Sequence, residues 1–178
     1  MPEFVTQSET TRPPEETFDF IVDLSQWPSF RGYGPLPGIV KATLSEPVSE
    51  TGGAGPGLGS RIRVENTDGS VHHEVVVAFE RGRLLQIRME LAPPVSYVLA
   101  SIDETVELEP TPTGTRVTRR FVVQAASVFS APVAWLFGGV LLRRAVDAHN
   151  VAVSAQLARR GSGVDGTRQA LAGRSSEA

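Results

Sequence analysis

Residues 101–123 read SIDETVELEPTPTGTRVTRRFVV, two runs that alternate apolar with polar residues and meet at Thr111-Pro112-Thr113-Gly114. Alternation with period two is the signature of a strand buried on one face, and the Pro/Gly pair marks a turn. A loop at this point sets Val106 opposite Arg119 and Glu104 opposite Phe121. One face of the hairpin then collects Ile102, Glu104, Val106 and Leu108 with Val117, Arg119, Phe121 and Val123. Glu104 and Arg119 are diagonal neighbours on that otherwise apolar face, within reach of each other through long side chains. A buried charge is costly unless it is paired, so this pair is a candidate polar anchor at the base of an apolar pocket. It could orient a ligand carbonyl or hydroxyl, or act as acid and base. The plainer reading is a structural ion pair.

Working upstream, the same short alternating runs recur at about Ile39–Leu44, Ser60–Asn66, Val71–Glu80 and Leu84–Leu91, which predicts an antiparallel meander. Asp68-Gly69 is a two-residue hairpin signal. Centred there, the turn puts Thr67 opposite Ser70, Val64 opposite His73 and Ile62 opposite Val75. His73 then faces inward as a candidate hydrogen-bonding or basic group, and Arg61, Arg63, Glu65, His72 and Glu74 face solvent. Because His72 and His73 are adjacent in a strand they point to opposite faces, and no metal site is expected from them. Thr51 to Gly59 is glycine-rich and reads as a mobile loop. Its glycines do not open a helix, so nothing there suggests a phosphate cradle.

Nearer the N-terminus, Phe4–Thr11 reads as a first strand. Pro13-Pro14-Glu15-Glu16 then opens a helix, with prolines at early positions and carboxylates where the macrodipole favours them. Phe18, Ile21 and Val22 form its apolar stripe. Ser25-Gln26-Trp27-Pro28 closes it into a second short helix, and Arg31 to Gly38 is a Gly/Pro-rich loop.

Downstream of the hairpin, Ala125 to Leu142 carries no charge over 18 residues, a borderline membrane length. Pro132 and Gly138-Gly139 interrupt it, which argues against a span. A long helix is predicted over about Val133 to Arg159, with Ala145, Ala148, Ala152 and Ala155 permitting close approach to the sheet. The segment 128–144, apolar and ending in Arg143-Arg144, could also touch a membrane surface. Gly161 to Ala178 is small, polar and charged and reads as a disordered tail, leaving one domain over residues 1–160.

At 178 residues, 40% hydrophobic and 21% charged, the composition is that of a globular domain with a sizeable core. The net charge of −3 offers no cationic surface for nucleic acid. The sequence has no cysteine, so disulfides and thiol chemistry are excluded, and a cytoplasmic location is expected. Met1 to Thr11 lacks the basic and apolar regions of a signal peptide. No nucleotide-binding, nucleophile-elbow or metalloprotease motif occurs, and no cofactor is implied.

The element order, the opening PPEETFDFI and the closing SQWP resemble the START-like (SRPBCC) superfamily, which includes polyketide cyclases, aromatase/cyclases and coenzyme Q-binding proteins. Further similar stretches are GSRIR at 59–63, NTDGS at 66–70, DET at 103–105 and GTRVT at 114–118. The resemblance implies an α+β helix-grip fold, a curved antiparallel sheet of about seven strands wrapped around a long C-terminal helix with a cavity between them. It implies a small hydrophobic ligand such as a lipid, quinone or polyketide. Within that frame Glu104, Arg119, His73, Val106 and Phe121 are candidate ligand contacts from the sheet. Trp27, Phe30, Tyr33, Tyr97, Trp135 and Phe137 are the aromatic candidates around the pocket mouth. Three functions compete: carrier or sensor, cyclase/dehydratase, and an interaction module with a closed cavity. Fold alone does not choose among them.

Overall fold

The alternating runs become strands wherever a turn lets the chain reverse. The computed structural model describes residues 2–46 and 55–157. Its strands are β1 (Glu3–Thr10), β2 (Ile39–Glu46), β3 (Arg61–Asn66), β4 (Val71–Glu80), β5 (Leu84–Glu90), β6 (Leu99–Thr111) and β7 (Gly114–Ala125). They form one antiparallel sheet in the order β1-β7-β6-β5-β4-β3-β2. Helix α1 (Pro14–Val22) and a 3-10 helix (Leu24–Ser29) connect β1 to β2, and a long helix, Val128–Leu157, follows β7. This is the helix-grip arrangement. Residues 47–54, which include the first four of the glycine-rich loop Thr51 to Gly59, the expected helix end at Arg159 and the tail from Gly161 lie outside the described residues.

Proline occupies the first turn of α1 beside Glu15 and Glu16, and Phe18 is fully buried on its inner face, edge-on to Phe79 at 5.1 Å between ring centroids. The Asp23 carboxylate caps the 3-10 helix by accepting from the Ser25 amide at 3.0 Å. The Trp27 indole donates to the Ile21 carbonyl at 3.0 Å, which fixes the ring against the preceding helix.

The β6–β7 register is the one expected, with Val106 opposite Arg119 and Glu104 opposite Phe121. The β3–β4 register is not. Val64 pairs with His72, Ile62 with Glu74 and Arg63 with His73. The turn is a three-residue loop, Thr67-Asp68-Gly69, closed by the Asn66 amide donating to the Ser70 carbonyl at 2.9 Å. Gly69 takes the left-handed conformation at φ 82°, the geometry of a type I turn followed by a bulge. Because side chains alternate with period two, this one-residue slip reverses the side chains of β4 up to the bulge between Val76 and Ala78, beyond which Phe79 faces the core. His73 therefore faces away from Ile62 and Val64, and His72 and Glu74 face the interior.

The C-terminal helix begins earlier than expected. Pro132 sits in its first α-helical turn, where a missing amide hydrogen costs nothing. The glycine pair does not break the run but is absorbed in a π-helical stretch, Phe137–Leu142. The inner stripe is Ala134, Gly138, Leu142, Ala145, Val146, Asn150 and Leu157, whereas Ala148 and Ala155 point outward. By length and composition this helix could cross a membrane, a property shared with core helices; here its inner stripe packs on the sheet.

The helix comes close enough to β7 that a Cβ at Gly138 would lie 2.8 Å from Val123 Cγ2 and 3.2 Å from its Cβ. Val123 is fully buried and has nowhere to retreat. Gly138→Ala should thus destabilise by about 1–3 kcal/mol in a denaturant titration, overpacking outweighing the helical preference for alanine. Adding Val123→Ala should recover part of that loss, making the double variant more stable than the sum of the two single effects.

Candidate functional site

Between sheet and helices lies a cavity of about 620 Å³. Its floor is the inner face of the sheet, including Leu85, Ile87 and Met89 of β5, and its roof includes Phe137, Leu142, Val146 and Val153 of the long helix. Most of this wall is apolar, with polar side chains from the sheet, the short helices and the long helix set into it.

The Arg119 guanidinium donates through Nε to Glu104 Oε1 at 2.6 Å, with Nη2 also 2.6 Å from that oxygen. Through Nη1 it donates to Asn150 Oδ1 at 3.2 Å, and Asn150 Nδ2 donates to Thr6 Oγ1 at 3.0 Å. One hydrogen-bonded chain thereby joins β6, β7, the C-terminal helix and β1. Arg119 also lies over the Phe121 ring, 5.4 Å from its centroid, and Phe121 stacks on Phe4 at 4.9 Å. Burial pushes the Glu104 carboxyl up from its ordinary value, Arg119 pulls it down, and the nearby Glu74 charge adds to the upward push.

A second polar group stands on β3 and β4. Asn66 Nδ2 lies 3.1 Å from His72 Nδ1, and His72 Nε2 lies 3.1 Å from Glu74 Oε1. Asn66 can only donate through that nitrogen, so His72 accepts at Nδ1 and donates from Nε2 to the carboxylate. Asn66, His72 and Glu74 all line the cavity.

Of the sequence-derived candidates, Glu104, Arg119, Val106, Phe121, Trp27, Phe30 and Phe137 line this cavity. His73 does not, because of the register slip; it sits opposite Arg63 and Glu90 on the other face. Tyr33, Tyr97 and Trp135 are exposed and off the wall. Tyr33 instead accepts from Arg144 Nη1 at 2.9 Å, with that guanidinium 5.6 Å from its ring centroid, fastening the Arg31–Gly38 loop to the helix.

Sequence reasoning missed His72, Glu74, His149 and Asn150. The first two were recoverable from Thr67-Asp68-Gly69 read as a three-residue loop. The helical pair carried no signal, since which face of a long helix turns inward depends on the π-helical stretch before it. His149 lines the cavity, meets Phe30 edge-on at 5.6 Å and leaves Nδ1 buried without a partner among the described residues.

The family described as polyketide cyclase / dehydrase and lipid transport matches residues 1–160. The chain belongs to this family. No curated protein matches it. Among solved structures, one similar to this chain is a protein from Mesorhizobium loti, at 17% identity and TM-score 0.61, covering 89% of this chain and 98% of that one. Ara h 8.0201 is similar at 13% identity and TM-score 0.66, with 89% and 98% covered. The di-domain ARO/CYC BexL, from the BE-7585A biosynthetic pathway, is similar at 18% identity and TM-score 0.62, covering 86% of this chain and 49% of that one. At such identities these structures share the fold with this family member. The fold together with the family supports a hydrophobic ligand.

His149 gives the site a measurable pH dependence. Burial, with the Arg119 charge beside it, lowers its pKa from 6.5 to about 4, against a smaller opposing effect of its hydrogen bond to the Ser29 backbone. The unfolded chain therefore binds this proton more readily, and stability present above pH 6.5 is lost as pH falls toward 4. Between pH 7 and 5 that loss is about 2 kcal/mol. Glu104 acts in the opposite sense, favouring the folded state as pH falls toward 4.5. In urea unfolding at pH 7 and pH 5, His149→Gln should remove the histidine contribution, so the variant loses about 2 kcal/mol less than the wild type across that interval.

Proposed function

We propose that the protein is a carrier or sensor of a small hydrophobic molecule held in the internal cavity, with Glu104 and Arg119 as its polar anchor. The observation that carries this reading is an apolar cavity of about 620 Å³ in which a carboxylate and a guanidinium are presented side by side on the floor. Ligand pockets of drug-sized molecules have this volume and this composition, a mainly apolar wall with a few placed polar groups. An open cavity of that size also speaks against an interaction module with a filled interior. Removing an anchor that hydrogen-bonds a ligand through a charged group should cost about tenfold in affinity. Glu104→Gln should fold as the wild type does and lose that factor for hydroxyl-bearing aromatics such as 2-naphthol, while naphthalene binding stays unchanged. Equal binding of 2-naphthol by both proteins would sink the anchor.

A second reading, ring closure or dehydration of a polyketide-like substrate, is favoured by the convergence of Glu104, Arg119, His72 and Glu74 on one cavity, since such reactions need proton donors and acceptors around a folded chain. Native mass spectrometry of freshly purified protein separates the two. A co-purified molecule returned unchanged after incubation identifies a carrier; its conversion to a cyclised or dehydrated product identifies an enzyme.

The same reading extends to where the ligand is exchanged. Val128 and Phe129 are 83% and 92% exposed at the start of the helix that roofs the cavity, and Trp135 and Leu136 are exposed beyond them, with Arg143 and Arg144 on the following turns. An apolar end followed by arginines suits a surface of anionic lipid. In flotation with vesicles containing phosphatidylserine the protein should rise with the lipid, and Phe129→Ala with Trp135→Ala should reduce that fraction several-fold; recovery at the bottom of the gradient removes the membrane contact.

A further inference from the structure

The Asn66–His72–Glu74 group has no place in a cavity with a single polar anchor. Its position relative to Glu104 follows from the register. Glu74 pairs with Met89, which pairs with Ile102, two residues before Glu104 on β6. Glu104 in turn pairs with Ile87, which pairs with Val76, two residues after Glu74 on β4. The two carboxylates therefore stand at opposite corners of one patch of the inner face, two strands across and two residues along. With strands about 4.8 Å apart and a rise of about 3.4 Å per residue, their backbones are about 12 Å apart. The floor between the corners is Ile87, Met89 and Ile102, all lining the cavity and offering nothing stronger than the weakly accepting Met89 thioether.

Each corner is already oriented and incompletely used. Glu74 is 4% exposed and its Oε1 is held by His72, whose ring is in turn held by Asn66. Glu104 is 6% exposed and its Oε1 takes both bonds from Arg119. Among the described residues neither Oε2 has a hydrogen-bond partner, and both residues line the cavity. Neither oxygen is among the buried atoms that lack a partner, so each opens onto the cavity, where a hydroxyl from a ligand can donate to it. We infer that the cavity has two polar poles, Glu104–Arg119 and Glu74–His72, and takes an elongated, flat, mainly apolar molecule with a hydrogen-bond donor at each end rather than a one-headed amphiphile. A fatty acid or a phospholipid tail would leave one pole unsatisfied and place hydrocarbon against it; a rigid molecule with hydroxyls at both ends meets both.

This inference rests on the binding reading, and the experiment separates the two. The probes are biphenyl, 4-hydroxybiphenyl and 4,4′-dihydroxybiphenyl, with the longer pair 4-hydroxystilbene and 4,4′-dihydroxystilbene to vary the span, measured by fluorescence or calorimetric titration. The dihydroxy member of at least one pair should bind about tenfold tighter than its monohydroxy partner, the worth of one further hydrogen bond to a charged group. E74L should abolish that advantage, so that the mono- and dihydroxy probes bind this variant equally; E74Q, which keeps an acceptor for His72, is the second variant and should shrink the advantage without altering the melting temperature. Equal affinities within both pairs in the wild type, or an advantage that survives E74L, overturns the second pole and leaves the binding reading standing. Absence of binding by every probe, biphenyl included, overturns both.

Discussion

The Glu104–Arg119 pair lies on the seam of the structure. Along β6 the inner residues run Ile102, Glu104, Val106, and along β7 Val117, Arg119, Phe121. Ile102 and Phe121 belong to the apolar cluster under the long helix, whereas Val106 and Val117 belong to the cluster around Phe18 of α1. The ion pair is thus what stands where the two clusters would otherwise merge. Two charges at this depth lose hydration worth several kcal/mol each, which their attraction offsets only when the remaining hydrogen-bonding capacity is filled. Asn150 fills part of it by accepting from Arg119, and Thr6 passes the chain on to β1, while Glu104 Oε2 stays open to the cavity. A well-packed apolar pair at these two positions would serve stability at least as well. The arrangement instead keeps the interior from closing into one continuous core.

From that constraint follows the shape of the cavity. The sheet supplies a broad apolar floor, and the helix can roof it only where its inner stripe is in phase with the floor. The π-helical stretch at Phe137–Leu142 sets this phase: it shifts the residues after it so that Val146, His149, Asn150 and Val153 reach the cavity wall along with Leu142 at its end. Gly138 lets the same helix lie against Val123. Close contact at the N-terminal half and an open space further along are two consequences of one local change in helical pitch.

The electrostatics of the interior have a single sign pattern. Glu74 and Glu104 are both buried on the floor, and each is matched by a donor from its own neighbourhood, His72 for one and Arg119 for the other. His149, beside Arg119, is kept neutral by burial and by that positive charge. The cavity is therefore lined by two oriented carboxylates with their donors beside them in the wall. This favours ligands that bring their own hydroxyl hydrogens, and it ties the site to pH through groups that are part of its wall.

Much of the fold was legible in sequence because it rests on local signals. Period-two alternation located the strands, prolines and carboxylates opened α1, and the Pro112–Gly114 turn fixed the β6–β7 register, which by itself placed Glu104 diagonal to Arg119. The β3–β4 hairpin shows the limit. Asp68-Gly69 can centre a two-residue turn or end a three-residue one, the difference is a single residue, and it exchanged His73 for His72 and Glu74 as residues of the wall. The sequence by itself determined where strands and helices form, that one charged pair shares an apolar face, and that no thiol chemistry is available. Only the tertiary structure decided which face of β4 and which stripe of the last helix turn inward, because those choices depend on turn closure and helical phase, set by packing between segments far apart in the chain.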